Sequence, residues 1–325
     1  MSSSMKSKTT WSDLDEIFKR HSSFLISSHL SLDGDSVGSQ LAMYWYLQSL
    51  GKRCVMYNQD PVPRRFHRLT NADVITTGKP EGMFDVLLVL DASNLDRLGW
   101  KNCKACAGFS ANIDHHRDNT RFADFNIVDD RAAATATIIY RLFAEGAVDY
   151  PLHVAESLYT GIMTDTGGFR FNNTTATVLS MCAQLAERGV NVSDMYQRAY
   201  DTHSPAGLLL RARIWSTLRY DLEGRVCSVD FPLQMVGELG AAKGDSEGMA
   251  DITVLAEGVE VGMLIKHGGN QTHFSLRSRG SVDVGRIAQK VAGGGGHGSA
   301  AGCTIELPFE PARQQMLSII RSELG

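Results

Sequence analysis

From Phe24 to Met163, short apolar runs of strand length alternate with stretches of helical periodicity. This alternation constrains the fold most, because it is the pattern of a parallel α/β domain. Phe84 to Leu90 is a nearly continuous apolar run, as expected of a strand buried on both faces of a parallel sheet. Phe24 to Ser28, Arg53 to Tyr57 and Phe109 to Ile113 read as further strands. Helices are expected from Ser12, which with Asp15 resembles a capping box, to about Arg20, over Val37 to Leu50 with Gly51 as its stop, and over Ala132 to Phe143 and Leu152 to Met163. Ala176 to Arg188 looks helical, and helical pattern continues from Val192 to about Leu218. Beyond it, Arg225 to Phe231, Val259 to His267 and Thr272 to Ser278 read as strands, with a hairpin at Gly268-Gly269-Asn270 and a helix from Val284 to Val291. A chain of 325 residues exceeds one ordinary core. The expected organisation is an α/β domain over residues 1–190, a helical linker over 191–218, and a smaller C-terminal α/β domain over 219–325.

Acid and imidazole residues gather where these elements end. His29, Asp33 and Asp35 follow the first strand, Asp91 ends the strand Phe84 to Leu90, and Asp114, His115 and His116 end another. Asp165 closes an apolar helix before Gly167-Gly168. Open parallel sheets bind ligands at the carboxyl ends of their strands, so the strand-end clusters are expected to share one crevice. Carboxylates with a few imidazoles suit manganese, magnesium or iron. Two such ions, about 3.5–4 Å apart, need a bridging carboxylate and can hold a bridging hydroxide.

Composition narrows the alternatives. The six cysteines include one C-x-x-C, Cys103 and Cys106, with no second pair to complete a zinc site. They read as reduced thiols of a cytoplasmic protein. No run approaches a membrane span, and Met1 to Thr10 reads as a short disordered tail without the apolar core of a signal peptide. A net charge of −4 argues against broad electrostatic binding of long nucleic acid, while a small phosphorylated substrate stays compatible.

The order and spacing of these residues resemble the DHH phosphoesterase superfamily. The matching segments are Ser28-His29-Leu30-Ser31-Leu32-Asp33-Gly34-Asp35-Ser36-Val37-Gly38-Ser39, Leu90-Asp91-Ala92-Ser93, Asp114-His115-His116 and Gly161-Ile162-Met163-Thr164-Asp165-Thr166-Gly167. The run from Gly293 to Gly302, which contains Gly295, Gly296 and His297, looks like the substrate motif of the DHH-associated C-terminal domain. Within the superfamily, the size and domain pair look like the NrnA type, oligoribonucleases of very short RNA that often also dephosphorylate adenosine 3′,5′-bisphosphate. The resemblance implies two divalent ions, manganese first, with magnesium, cobalt or iron as substitutes. His29, Asp33 and Asp91 would hold one ion, and Asp35, Asp91, His115 and Asp165 the other. Asp114 would orient a neighbour, His116 would reach the scissile phosphate, and His297 with its glycines would bind a substrate phosphate. Arg277 and Arg279, placed on one face of a strand by their spacing, are expected phosphate or base contacts. The chain departs from the family pattern at Gly298-Ser299 and at Thr137, where larger polar and acidic residues are common. The expected activity is hydrolysis of short oligoribonucleotides. Alternatives are a bisphosphate nucleotidase, a cyclic-dinucleotide phosphodiesterase and a non-catalytic nucleotide-binding regulator. The expected partners are short RNA or small nucleotides, with no membrane and a homodimer possible.

Overall fold

A computed structural model describes residues 11–246, 248–280, 282–296 and 298–325. The expected N-terminal tail and His297 fall outside the described residues. The chain divides into two compact units, Met1–Thr202 and His203–Gly325. Among the described residues, no helix is long and apolar enough to cross a membrane.

The first unit holds a five-stranded sheet in the order β2-β1-β3-β4-β5. Its strands are β1 (Ser23–Ser27), β2 (Arg53–Met56), β3 (Phe84–Leu90), β4 (Ala107–Asp114) and β5 (Phe125–Val128). Every pairing is parallel. The helices are α1 (Trp11–Arg20), α2 (Gly34–Ser49), α3 (Thr135–Glu145), α4 (Leu152–Asp165), α5 (Ala176–Glu187) and α6 (Val192–Tyr196). Because β1 lies between β2 and β3, the strand order reverses at β1/β3. The carboxyl ends of these two strands, paired at Ser27 and Val89, therefore open a crevice of the kind in which α/β sheets bind ligands.

Several elements differ from their sequence-based expectation. Ser12 lies inside α1 and so cannot cap it. α2 starts at Gly34 rather than Val37, because Asp33 is its N-cap, with Asp33 Oδ1 accepting the N–H of Ser36 at 2.9 Å and Ser36 Oγ accepting the N–H of Asp33 at 2.8 Å. α3 starts at Thr135 rather than Ala132, because Ala134 before it is extended and offers no side-chain cap. Its cap comes from another helix, as described below. The expected helical run from Val192 breaks after a π turn at Gln197–Asp201, and a new helix starts where Ser204 caps and Pro205 takes the first turn. β5 was not anticipated.

α2 and α4 pack closely through small residues. A Cβ on Gly38 would lie 2.2 Å from the Ser157 carbonyl oxygen. On Gly161 it would lie 2.7 Å from the Ala136 Cβ and 2.8 Å from Asp35 Oδ1. Glycine at both positions lets α4 approach α2 and α3, which brings Asp165 toward Asp35.

The second unit is a mixed six-stranded sheet, in the order β10-β11-β9-β8-β7-β6. Its elements are α7 (Pro205–Trp215), β6 (Arg219–Asp221), β7 (Val226–Pro232), α8 (Gln234–Leu239), β8 (Val261–Gly268), β9 (Gln271–Ser278), α9 (Val284–Gln289), β10 (Gly295–Gly296), β11 (Ala300–Ile305) and α10 (Phe309–Leu324). Only β7 and β8 pair in parallel. α9 and α10 pack Ile287, Met316 and Ile320 on Met263, Ile265 and Phe274. α7 covers the opposite face, with Leu210 and Ile214 against Val229 and Leu264. The hairpin forms as expected, with Gly268 opposite Gln271 and Gly269 at φ 65°. β6, β10, β11, α8 and α10 were not anticipated.

The α2–α4 contact gives a first test. Gly38→Ala is expected to destabilise the first unit by about 1–3 kcal/mol through overpacking, lowering its unfolding midpoint by several degrees. Gly108→Ala, whose Cβ meets nothing closer than 3.7 Å, is the control. Equal midpoints for the two variants in thermal unfolding would remove this contact from the account of the fold.

Candidate metal centre

Asp91 directly follows β3, and its two oxygens face different imidazoles. Asp91 Oδ2 lies 3.4 Å from His29 Nε2, and Oδ1 lies 3.5 Å from His115 Nε2 and 3.7 Å from His116 Nδ1. Thr135 Oγ1 donates to the same Oδ1 at 3.1 Å. Asp91 is almost wholly buried and has φ 58°, a left-handed backbone that side chains other than Gly, Asn and Asp rarely accept. Its N–H donates to Ile113 O at 2.9 Å, which ties the turn to β4.

The two histidines are oriented alike. His29 Nδ1–H donates to Leu30 O at 2.6 Å and His115 Nδ1–H donates to Ala132 O at 3.3 Å. Each Nε2 then points at carboxylates: His29 toward Asp33 Oδ2 at 3.6 Å as well as Asp91, and His115 toward Asp165 Oδ2 at 3.2 Å as well as Asp91. A neutral ring held this way presents a lone pair to negative oxygens. Such an arrangement calls for a proton or a cation between them, and it is how metal-ligating histidines are commonly fixed. Three overlapping sets of ligand atoms lie within 4.8 Å of one another: His29, Asp33 and Asp91; Asp35, His115 and Asp165; and Asp91, His115 and His116. All six ligands expected from the sequence are therefore brought together in the first unit. Their chemistry, hard carboxylate oxygens with imidazole nitrogen, fits divalent cations.

Asp35 is fully buried, and both of its oxygens cap α3. Oδ2 accepts the N–H of Thr135 at 2.6 Å, and Oδ1 accepts that of Ala136 at 2.8 Å and the Ser39 hydroxyl at 3.2 Å. The carboxylate replaces the cap that Ala134 lacks and sits at the positive end of the helix dipole. Asp114 orients His116, with Nδ1–H donating to Asp114 Oδ1 at 2.7 Å. Asn119 Nδ2 donates to Asp114 Oδ2 at 2.5 Å and to Asn112 Oδ1 at 2.8 Å. A buried network supports the His29 loop: Ser28 N–H donates to Asn58 Oδ1 at 2.8 Å, and Asn58 Nδ2 donates to Gln40 Oε1 at 2.8 Å. Thr135, Asn119, Asn58 and Gln40 were missed by sequence reasoning. Each is an ordinary polar residue whose partner is distant in sequence. Thr137, the departure from the family pattern, donates to Ala134 O at 2.6 Å in the first turn of α3.

Like charges crowd this site. Burial and the neighbouring Asp91 push Asp35 up to about 8. Burial, then Asp35, Asp33 and Asp91, hold Asp165 well above the usual carboxylate range. Burial pulls His29 down, but Asp33 and Asp91 outweigh it and raise it well above its ordinary value. His115 and His116 are also raised against the pull of burial, by Asp91 and Asp35 in one case and by Asp114 and Asp91 in the other.

In the second unit, Gly295 and Gly296 form β10 against Gly302 and Ala301. Gly296 has φ 143°, and a Cβ there would lie 2.5 Å from the Ala301 Cα, so no side chain fits. Arg277 Nε donates to Asp251 Oδ1 at 2.7 Å. β9 ends at Ser278, so Arg279 lies beyond the strand, and the expectation that both arginines share one strand face is not met. Ser278 N–H still donates to Ser299 O and Arg279 N–H to Glu260 O, one step beyond the residues paired in the sheet on each side.

Comparison with known proteins agrees with this geometry. Residues 23–162 match the N-terminal domain of the DHH family, and residues 228–325 match the DHHA1 domain. The chain is 32% identical over 302 residues to the bifunctional oligoribonuclease and PAP phosphatase NrnA of Thermus thermophilus, covering 92% of this chain and 89% of that protein. The chain belongs to the DHH family. Among solved structures, it is similar to an exopolyphosphatase-related protein from Bacteroides fragilis, with TM-score 0.86, 25% identity, and coverage of 97% of this chain and 95% of that one. The DHH protein also shares its fold with RecJ of Thermus thermophilus, solved in complex with Mn2+, at TM-score 0.54 and 11% identity, covering 96% of this chain and 53% of RecJ.

The raised groups set a pH test for this DHH protein. A group raised in the folded state contributes stability below its unfolded pKa and loses it as pH rises through the folded one. Asp35, Asp165, His29, His115 and His116 are all raised. Burial lowers His267 and His273 of the second unit, which therefore stay neutral above their ordinary range. Metal-free protein is expected to lose thermal stability from about pH 7 to about pH 9, and excess Mn2+, which needs deprotonated ligands, is expected to reverse the slope. Melting curves with chelator and with Mn2+ check both signs. Parallel curves in the two conditions would count against a cation at this site.

Proposed function

We propose that this chain is a divalent-metal phosphoesterase that hydrolyses very short oligoribonucleotides to mononucleotides and removes the 3′-phosphate of adenosine 3′,5′-bisphosphate. One observation carries the proposal: Asp91 turns one oxygen to each of two imidazole–carboxylate sets, in a chain with 32% identity to an NrnA over nearly its whole length. We assign His29, Asp33 and Asp91 to one cation and Asp35, Asp91, His115 and Asp165 to a second, with Asp91 shared. The donor set favours manganese, with magnesium, cobalt or iron as substitutes. Bound cations would lower the pKa of a water and neutralise phosphate charge.

The chain's own residues do the rest. Asp114 takes the Nδ1–H of His116 and fixes its ring, and together with Asp91 it favours the imidazolium. His116 so held is suited to a phosphate oxygen that gains charge as the ester bond breaks. Thr135, by donating to Asp91 Oδ1, holds the shared carboxylate in one rotamer. Water attacks phosphorus, the ribose oxygen leaves with a proton, and the products are a mononucleotide and a shortened chain, or adenosine monophosphate and inorganic phosphate. In the second unit, Gly295, Gly296, His297, Arg277 and Arg279 are assigned to substrate phosphate. Arg277 would exchange its Asp251 partner for phosphate on binding. Division of the chain into residues 1–190, a linker over 191–218 and a substrate domain over 219–325 is kept as a functional proposal.

The test is a time course with Mn2+ on pApA, longer RNAs and adenosine 3′,5′-bisphosphate, side by side. Wild type is expected to cleave the dinucleotide and the bisphosphate. Asp91→Asn, which keeps a side chain tolerant of the left-handed backbone, is expected to lose roughly 10²- to 10³-fold or more in kcat/KM. Full activity in this variant, or none in wild type with any divalent ion, would refute the assignment.

A further inference from the structure

Immediately after Asp165, the chain makes a left-handed turn. Gly167, Gly168 and Phe169 have φ of 60°, 66° and 67°. Phe169 turns inward onto Tyr159, with ring centroids 6.1 Å apart. Phe171 lies over Gly167, where a Cβ would come within 2.5 Å of its ring. Tyr196 and Tyr200 close over Gly168, whose Cβ would lie 3.1 Å from the first ring and 3.5 Å from the second. The two tyrosine rings are 4.9 Å apart at 39°, and the Tyr200 hydroxyl donates toward the carbonyls of Met163, at 3.3 Å, and Thr164, at 3.4 Å. Asn173 Nδ2 pins the turn, donating to Asp165 O at 3.0 Å and to Ala133 O at 3.1 Å.

Two of these rings stay in water: Phe171 is 51% exposed and Tyr196 is 37% exposed. They flank a segment that is anchored to the backbone of Asp165, itself one of the clustered carboxylates. Two guanidinium groups lie near these rings. Arg170 is exposed, with its Nε–H donating to Gly167 O at 2.7 Å, and the charges of Arg65 and Arg170 both act on the Tyr200 phenol. Rings exposed beside guanidinium groups are the equipment with which proteins hold unpaired nucleotides, because every base has a face to stack and every linkage a negative charge.

Building on the function proposed above, we propose that Phe171 and Tyr196, backed by Tyr200, form a stacking platform for a nucleobase of the substrate beside the Asp165 edge of the metal centre. Stacking here binds ground state and transition state alike, so it acts on KM and leaves kcat alone. It makes no hydrogen bonds to base edges, so it tolerates all four bases.

The experiment compares pApA with dinucleotides made abasic at either position, using the full chain and Mn2+. Phe171→Ala and Tyr196→Ala are expected to raise KM for pApA about 5- to 100-fold with kcat nearly unchanged. Tyr196→Phe, which keeps the ring, is expected to retain the wild-type KM. Removing the stacked base is expected to raise the wild-type KM by a comparable factor and to have little further effect in the alanine variants. That non-additivity is what a merely structural role would not produce. Phe171→Leu guards against a folding defect and is expected to fall between wild type and alanine. Unchanged KM in both alanine variants, or an equal rise on pApA and on both abasic analogues, overturns the platform while leaving the phosphoesterase in place. A wild type inactive on pApA and on the bisphosphate overturns both.

Discussion

The structure depends on one buried carboxylate. Asp35 leaves α2 and receives the first N–H groups of α3, a helix that has no cap of its own. Its position requires α2, α3 and α4 to approach at near backbone distance, which Gly38 and Gly161 permit. Fold and site are thus the same contact seen from two sides. The helix gains its N-terminal cap, and the cluster gains a carboxylate held by preformed donors. The donors matter because a buried carboxylate among others is costly when charged. Two backbone N–H groups and a hydroxyl offset part of that cost, and Asp35 remains pushed up to about 8 by burial and by Asp91.

The rest of the centre is built on the same economy of orientation. Main-chain carbonyls of Leu30 and Ala132 take one nitrogen of each imidazole and leave the other turned inward. Asp114 does this for His116 with a full negative charge, and so raises that ring's affinity for a proton. The DHH triplet therefore divides its labour: Asp114 is wholly buried and orients, while His115 and His116 both approach Asp91 Oδ1 and differ in their second carboxylate, Asp165 for one and Asp114 for the other.

Much of this was legible in the sequence, for identifiable reasons. β3 matched its expected bounds because seven residues with one polar interruption have few other solutions in a parallel sheet. The clustered Asp and His residues could be read because the chemistry of a cation site favours these two types at strand ends, and the structure brings them together. Helix starts were less legible. The beginning of α3 is set by Asp35, 100 residues earlier, and nothing local announces it. The start of α2 was obscured because Asp33 serves as both N-cap and cluster member. Short strands such as β6 and β10 owe their existence to their neighbours in the sheet, and glycine-rich β10 carries no strand signal of its own. The second row of site residues, Thr135, Asn119 and Asn58, is invisible for a related reason: a hydroxyl or amide reveals its role only through its partner.

The backbone of Asp91 has a consequence for how this family can change. At φ 58° the position accepts Gly, Asn or Asp most readily, and a left-handed Asp costs about 1–2 kcal/mol relative to its relaxed form. Of these three residues, only Asp can lend an oxygen to each side of the centre. Random drift at this codon therefore runs downhill for folding and uphill for chemistry. A descendant with Asn or Gly here would keep its sheet and its crevice while giving up the shared carboxylate on which the proposed catalysis rests. On the function proposed above, the residue most needed for turnover is also the easiest point at which selection could convert such an enzyme into a receptor.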